Sequence, residues 1–293
     1  MDSESVSRVR RFNRAVTQRV GALNDVFLAR GRSLGHSRLL WEIGEDGAEL
    51  RELRARLDLD SGYLTRMLRS LEESGLVFVG ADAEDGRVRT AQLTPAGIVE
   101  RRELDRLSDA QAESMLEPLT ETQRERLVEA MGVVERLLLA SAISIEPTPP
   151  SHPAARAAVA AYFAELAARF DTGFEADHTL PLTDEALSPP SGLMVLARLH
   201  DDAVGVGGLK LLPGGVGEIK RVWVAPAARG TGLGRRLLAD LEARARDHGC
   251  TRVRLDTNRT LTEAIALYRT SGYREVAAFN DEPYAHHWFE KTL

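Results

Sequence analysis

The run from Glu218 to Gly234 constrains this chain more than any other stretch. It reads Glu-Ile-Lys-Arg-Val-Trp-Val-Ala-Pro-Ala-Ala-Arg-Gly-Thr-Gly-Leu-Gly. Val222, Trp223 and Val224 are strongly β-prone, and Pro226 stops the strand because it cannot donate to a ladder. From Arg235 to His248 the apolar residues Leu237, Leu238, Leu241 and Ala245 recur at helical spacing. Between strand and helix lies Arg229-Gly230-Thr231-Gly232-Leu233-Gly234. Its glycines permit positive φ and a close approach of ligand to main chain. A helix N-terminus contributes oriented N–H groups and partial positive charge, so the ligand that suits this loop is anionic, above all a phosphate.

Two common phosphate loops are excluded by spacing. No Lys-Ser/Thr pair follows the last glycine, and the glycine positions do not fit G-x-G-x-x-G. The pattern that fits is R-x-x-G-x-G, formed by Arg229, Gly232 and Gly234. It resembles the acetyl-CoA pyrophosphate loop of GCN5-related N-acetyltransferases (GNATs). A second motif of that family comes at the expected distance: Asn258, Ala264, Tyr268, and then Gly272-Tyr273. The resemblance covers about residues 141–293 and implies a mixed α/β fold.

That resemblance implies roles residue by residue. The main chain of Val222 and Val224 would receive the pantetheine arm as an added strand, and one of those amides would polarise the thioester carbonyl. Arg229, Gly230, Thr231, Gly232, Leu233 and Gly234 would grip the pyrophosphate. Tyr268 would protonate the leaving thiolate, and Asn258 would bond pantetheine or acceptor. Glu218 has two readings: a base that activates the amine through water after burial raises its pKa, or a strand-end charge paired with Lys220 or Arg221. His286 and His287 stand beside aromatics. On a strand they face opposite ways, so at most one enters an acceptor pocket, and they do not share a metal.

The first half shows a different order. Val9, Phe12, Val16, Val20, Leu23 and Phe27 predict an amphipathic helix over 5–30. Shorter helices are predicted at 37–44, around Leu50 to Leu57, and at 62–73 behind an Asp60 or Ser61 cap. Two β-prone segments, 76–79 and 88–93, flank a polar hairpin tip containing Glu84, Asp85 and Gly86. Helix, helix and hairpin in this order make a winged helix-turn-helix. Leu71-Glu72 with Gly75-Leu76-Val77, then Asp85 and Arg87, then Leu93-Thr94 and Gly97, resemble the MarR family of regulators over about residues 5–140.

Ser61, Tyr63, Thr65, Arg66 and Arg69 would form the outward side of the recognition helix, with both arginines reaching guanine edges or phosphates. Arg87 would contact DNA from the wing, oriented by Asp85. Net charge is −6, so double-stranded DNA would be met by this local patch and not by a broadly basic coat. Leu104, Leu107, Met115, Leu127, Met131, Val134, Leu137 and Leu138 exceed what one winged helix can bury, which predicts a homodimer through terminal helices.

Prolines 147, 149, 150 and 153 mark a boundary, with 141–146 read as the first strand of the second domain. The expected organisation is multidomain: residues 1–140 a mainly-α winged helix-turn-helix, 141–293 a mixed α/β acetyltransferase. One cysteine, Cys250, excludes an internal disulfide, and no metal is expected. The polar start and the lack of a long apolar run predict a cytoplasmic protein. The combined expectation is a regulator that also transfers acetyl groups from acetyl-CoA to a small primary amine. The alternative is a regulator whose second domain only senses acetyl-CoA.

Overall fold

A computed structural model of the chain describes residues 2–21, 28, 30–82, 86–171, 173–200 and 202–293. They divide into two units, 1–129 and 130–293. In the first, α1 (Ser3–Arg19) is followed by α2 (Leu34–Ile43), β1 (Ala48–Glu49), α3 (Leu50–Leu57) and α4 (Ser61–Glu73). Then come β2 (Val77–Ala81), β3 (Arg89–Leu93), α5 (Pro95–Leu116) and the start of α6 (Glu121–Ala142). The strands form one antiparallel sheet in the order β1-β3-β2.

The first helix is shorter than the pattern predicts. It ends at Arg19, and Gly21 takes φ 68°; Leu23 and Phe27 lie outside the described residues, as does Asp85. The cap of α4 is Asp60, whose side chain accepts from Tyr63 N at 2.8 Å. Leu64, Met67, Leu68 and Leu71 of α4 are buried with Leu39, Leu40, Ile43, Leu53 and Leu104.

The Leu-Thr-x-x-Gly motif has a geometric cause. Thr94 caps α5 by accepting from Gly97 N at 3.1 Å, and its hydroxyl donates to Gly75 O at 2.7 Å. A Cβ at Gly97 would stand 2.0 Å from the Leu76 carbonyl oxygen. Only glycine fits there, and the contact seats α5 on the base of the wing.

In the second unit β4 (Ile143–Pro147) precedes α7 (Pro153–Arg169), β5 (Gly192–Leu199), β6 (Asp202–Leu212) and β7 (Val216–Val224). Next are α8 (Leu233–Asp247), β8 (Arg252–Thr257), α9 (Thr262–Thr270), β9 (Arg274–Val276) and β10 (His287–Thr292). The seven-stranded sheet runs β4-β5-β6-β7-β8-β10-β9. Alternation along β5 separates two layers: Leu193, Val195 and Ala197 join the core under α8, whereas Met194 and Leu196 pack toward α7.

Two irregularities position the site. β7 and β8 are parallel but pair only from Val216↔Arg252 to Glu218↔Arg254, so the β8-facing edge of β7 is unpaired beyond Glu218. On the other side of β7, Lys220 pairs with Gly208 and Trp223 with Val206. Arg221 and Val222 therefore oppose Gly207 alone, a β-bulge, and Arg221 adopts φ 55°. The bulge lies just beyond the point where pairing with β8 ends, at the open part of the sheet.

Candidate functional site

Two cavities of the second unit meet at this opening. A groove of about 590 Å³ is lined by Val222, Val224, Arg229, Gly230, Gly232 to Arg235, and Tyr268. A smaller cavity of about 170 Å³ is lined by Phe163, Phe170, Glu218, Arg221, Glu282 and Tyr284 among others. Tyr268 and Val222 line both. The larger groove suits an extended ligand and the smaller a compact one.

The loop has the form the motif requires. Gly230 and Gly232 take φ 77° and 82°, and Gly232 caps α8 without a side chain. The first intrahelical bond to the cap runs from Arg236 N to Gly232 O, so the amides of Leu233 to Arg235 are available to a ligand. Thr231 is buried and its hydroxyl donates to Ala228 O at 2.6 Å, while Leu233 is buried in the core. Both can offer only main chain. The Arg229 side chain is engaged elsewhere: it pairs with Glu165 and donates to Val224 O at 3.1 Å. Glu165 also accepts from Trp223 Nε1 at 2.8 Å, tying α7, β7 and the loop together.

Tyr268 is buried, its ring 5.7 Å from that of Phe289 and 6.0 Å from that of Tyr273. Burial, reinforced by the negative charge of Asp256, raises its pKa well above the ordinary phenol value. The phenol therefore keeps its proton, as a group that is to donate it must.

Glu218 is buried, with cations on its carboxylate. Arg254 pairs with it at 2.7 Å and Lys220 at 3.2 Å; Arg221 is not its partner. Burial opposes ionisation, yet the charges of Lys220 and Arg254 outweigh it and hold this carboxyl below the ordinary range. That is the opposite of the shift a general base needs. Lys220 in turn remains a cation: burial disfavours its charge, but Asp256 and Glu218 more than compensate.

Three other expected residues fall in different places. Asn258 is buried beside the smaller cavity, and its bonds are internal: Nδ2 donates to Tyr284 O at 2.8 Å, and Oδ1 accepts from Thr260 N at 2.9 Å. It shapes the wall and has little left to offer a ligand. Neither His286 nor His287 lines the cavity. His286 is exposed, and His287 bonds Glu275 at 2.6 Å; they stand just before and at the start of β10, past the turn that does reach the cavity. Glu282, Tyr284 and Ala285 take that position instead. Among the described residues no group of His, Cys, Asp and Glu is placed to hold a metal ion.

Several lining residues belong to no motif of the sequence. Tyr162, Glu165, Leu166 and Arg169 recur on one face of α7 and line the groove; their spacing of three and four was the available signal. Arg136, near the end of α6, lies over the loop, since a Cβ on Gly230 would come within 3.3 Å of its Cδ. No pattern marks it.

In the first unit, Ser61, Tyr63, Thr65, Arg66 and Arg69 are all exposed on α4. Arg66 lies over the Tyr63 ring at 5.7 Å, and neither Arg66 nor Arg69 has an acidic partner among the described residues. Arg87 is exposed at the hairpin.

Both halves of the chain are similar to known proteins. A model of the acetyltransferase (GNAT) family matches residues 160–273, and one of the MarR family matches residues 30–88. An IAA acetyltransferase of Azospirillum brasilense is 38% identical over 106 residues, 36% of this chain and 68% of the relative. The N-acetyltransferase YjgM of Escherichia coli K12, itself uncharacterised, is 32% identical over 117 residues, 39% of this chain and 70% of that protein. A GNAT acetyltransferase from Elizabethkingia anophelis, solved with acetyl-CoA bound, is 21% identical with a TM-score of 0.38, covering 52% of this chain and 99% of the other.

The second half of the chain thus defines an acyl-CoA N-acyltransferase. The chain belongs to the GNAT family, with a MarR-family region ahead of the acetyltransferase region. No helix among the described residues is long and apolar enough to cross a membrane.

Proposed function

We propose that the second unit transfers an acetyl group directly from acetyl-CoA to a small primary amine, and that the first unit binds operator DNA as half of a dimer. The observation that carries the first part is the placement of Tyr268 where the groove and the smaller cavity meet. A phenol there stands between a thioester held in the groove and an acceptor held in the cavity.

The residues divide the work. Amides of the Gly230–Gly234 loop and the start of α8 hold the pyrophosphate, and Arg136 supplies charge beside them. The unpaired edge of β7 near Val222 and Val224 takes the pantetheine arm and offers an amide to the carbonyl oxygen. Arg229, locked by Glu165, props the loop and leaves phosphate contact to the main chain. The acceptor ammonium first loses a proton to water; the ionised Glu218 network is too weakly basic to keep it. The nitrogen then forms its bond to the carbonyl carbon, and the carbon–sulfur bond breaks with its electron pair on sulfur. Tyr268 gives that sulfur its proton and is restored by the second proton of the nitrogen, so acetyl-CoA and amine become amide and free CoA.

The regulator reading is supported by the unanswered charges of Arg66 and Arg69 on α4. A dimer is supported by apolar surface without cover. Val6, Val9, Phe12 and Val16 of α1 are 39–57% exposed, and Leu137 and Leu138 of α6 are each 62% exposed. A two-fold pair would set two copies of α4 about 34 Å apart, one turn of DNA.

The test is release of free CoA from acetyl-CoA against a panel of primary amines. Turnover with one class of amine supports transfer. Tight acetyl-CoA binding with no turnover on any amine would favour a sensor.

A further inference from the structure

Among the described residues, three charged groups of the smaller cavity, Lys210, Arg221 and Glu282, have no ion-pair partner. Of its other charged groups, Lys220 is paired with both Asp256 and Glu218, Glu218 also with Arg254, and Asp256 also accepts from Asn280. Lys210 stands opposite Glu218 in the β6–β7 register. Arg221 is different. Its guanidinium donates to the Leu182 carbonyl at 3.3 Å and lies 5.3 Å over the Phe163 ring, with no carboxylate partner among the described residues. Asp184, the nearby acid, is 3.6 Å from Arg156. Burial works against the Arg221 charge, so a counter-ion entering the cavity would be held strongly.

Glu282 is the opposite case. One of its oxygens accepts from Leu180 N at 3.0 Å; the other, Oε1, is buried without a hydrogen-bond partner. A carboxylate oxygen kept from water without a donor is unfavourable, and a donor from a ligand would relieve it. Both groups act on the Tyr162 phenol. Its pKa is raised by burial first, and Glu282 adds to the rise while Arg221 opposes it.

Much of the rest of the wall is apolar, and part of it is an aromatic cluster. Phe174 lies 5.5 Å from Phe163 and from Phe170, and 5.1 Å from Tyr284, by ring centroids. A cation, a hydrogen-bond acceptor and an apolar wall around about 170 Å³ match a small zwitterion with an apolar side chain.

We propose that the acceptor is a free α-amino acid with an apolar or aromatic side chain, its carboxylate paired with Arg221 and its amine held by Glu282. This deepens the transfer reading above and rests on it. The amine alone would leave Arg221 unanswered, and an acidic side chain would meet a largely apolar wall.

The experiment compares L-phenylalanine with phenethylamine, and L-leucine with isoamylamine, on the full chain loaded with CoA. Binding is measured by calorimetry, and CoA release from acetyl-CoA is measured in parallel. Each amino acid should bind about 100-fold more tightly than its decarboxylated partner, because a site built around a polar group strongly disfavours the analogue lacking it. Arg221→Gly, which suits the positive φ and keeps the backbone, should reduce that ratio to about one; Arg221→Lys should restore part of it. Glu282→Gln should weaken both members of each pair. A decarboxylated amine that binds as well as the amino acid, a ratio unmoved by Arg221→Gly, or no binding by either amino acid would overturn the assignment. Amino-acid binding with the expected ratio but no CoA release would uphold the acceptor class and refute transfer. Release with the decarboxylated amines alone would do the reverse.

Discussion

Tyr268→Phe isolates the chemical step. The substitution keeps the ring, and with it the contacts to Phe289 at 5.7 Å and Tyr273 at 6.0 Å. It removes one hydroxyl, on a side chain that lines both the groove and the cavity, for which no protein partner is found among the described residues. Loss of an unpartnered hydroxyl leaves stability near neutral, within about 0.5 kcal/mol. The thiolate would then depart without its proton donor. General acid catalysis contributes roughly 10²- to 10⁴-fold, or about 3–5 kcal/mol in the barrier. The assay is steady-state CoA release with the best acceptor, together with thermal melting. We expect kcat to fall at least about 100-fold while KM for acetyl-CoA and the melting temperature stay close to wild type. The pH profile adds a second reading. Because burial and Asp256 raise this phenol above its ordinary value of 10.0, wild-type kcat should show no loss of the acid below that pH. A kcat within about threefold of wild type would refute the role of Tyr268 and the reasoning from its placement.

Three further outcomes rest on particular contacts. Arg66→Ala with Arg87→Ala should weaken binding of operator DNA and lower the salt dependence of log K by about one per lost phosphate contact, read by gel shift at several salt concentrations; an unchanged slope would argue against the α4 and wing surface. Gly97→Ala places a methyl 2.0 Å from Leu76 O and should destabilise the first unit by about 2–4 kcal/mol, measured by denaturant melts. Arg30 bonds Glu100 directly, and together with Arg32 holds its carboxyl below the ordinary 4.5. A depressed folded pKa contributes stability above about pH 4.5 that is lost as pH falls through the lower folded value. Glu100→Gln should therefore flatten the acid limb of the melting-temperature profile, and an unchanged limb would show that other groups set it.

Periodicity and punctuation made most elements legible. The stripe Leu64, Met67, Leu68 and Leu71 became the buried face of α4, and Leu237, Leu238, Leu241 and Ala245 that of α8, because one amphipathic pattern leaves a helix one way to face its core. The short β1 was not foreseen, since two residues have no period. The run 5–30 promised a longer helix than α1, because Gly21 stops it and apolar spacing alone does not register a left-handed residue.

The chemistry divides in the same way. Residue type and spacing determined that a glycine loop precedes a helix and that a tyrosine lies beyond it at a set distance, because main-chain geometry there depends on local glycine, proline and helical phase. Only the tertiary structure decided how charges pair. Glu218 met Arg254 across the β7–β8 contact, Arg229 met Glu165 of α7, and His287 met Glu275, each partner more than ten positions away in the chain. It likewise placed Arg221 and Glu282, 61 residues apart, in the wall of one cavity. Ionisation and binding respond to neighbours in space, and a bulge in β7 that turns one arginine out of the ladder is a consequence of sheet register, which no local pattern records.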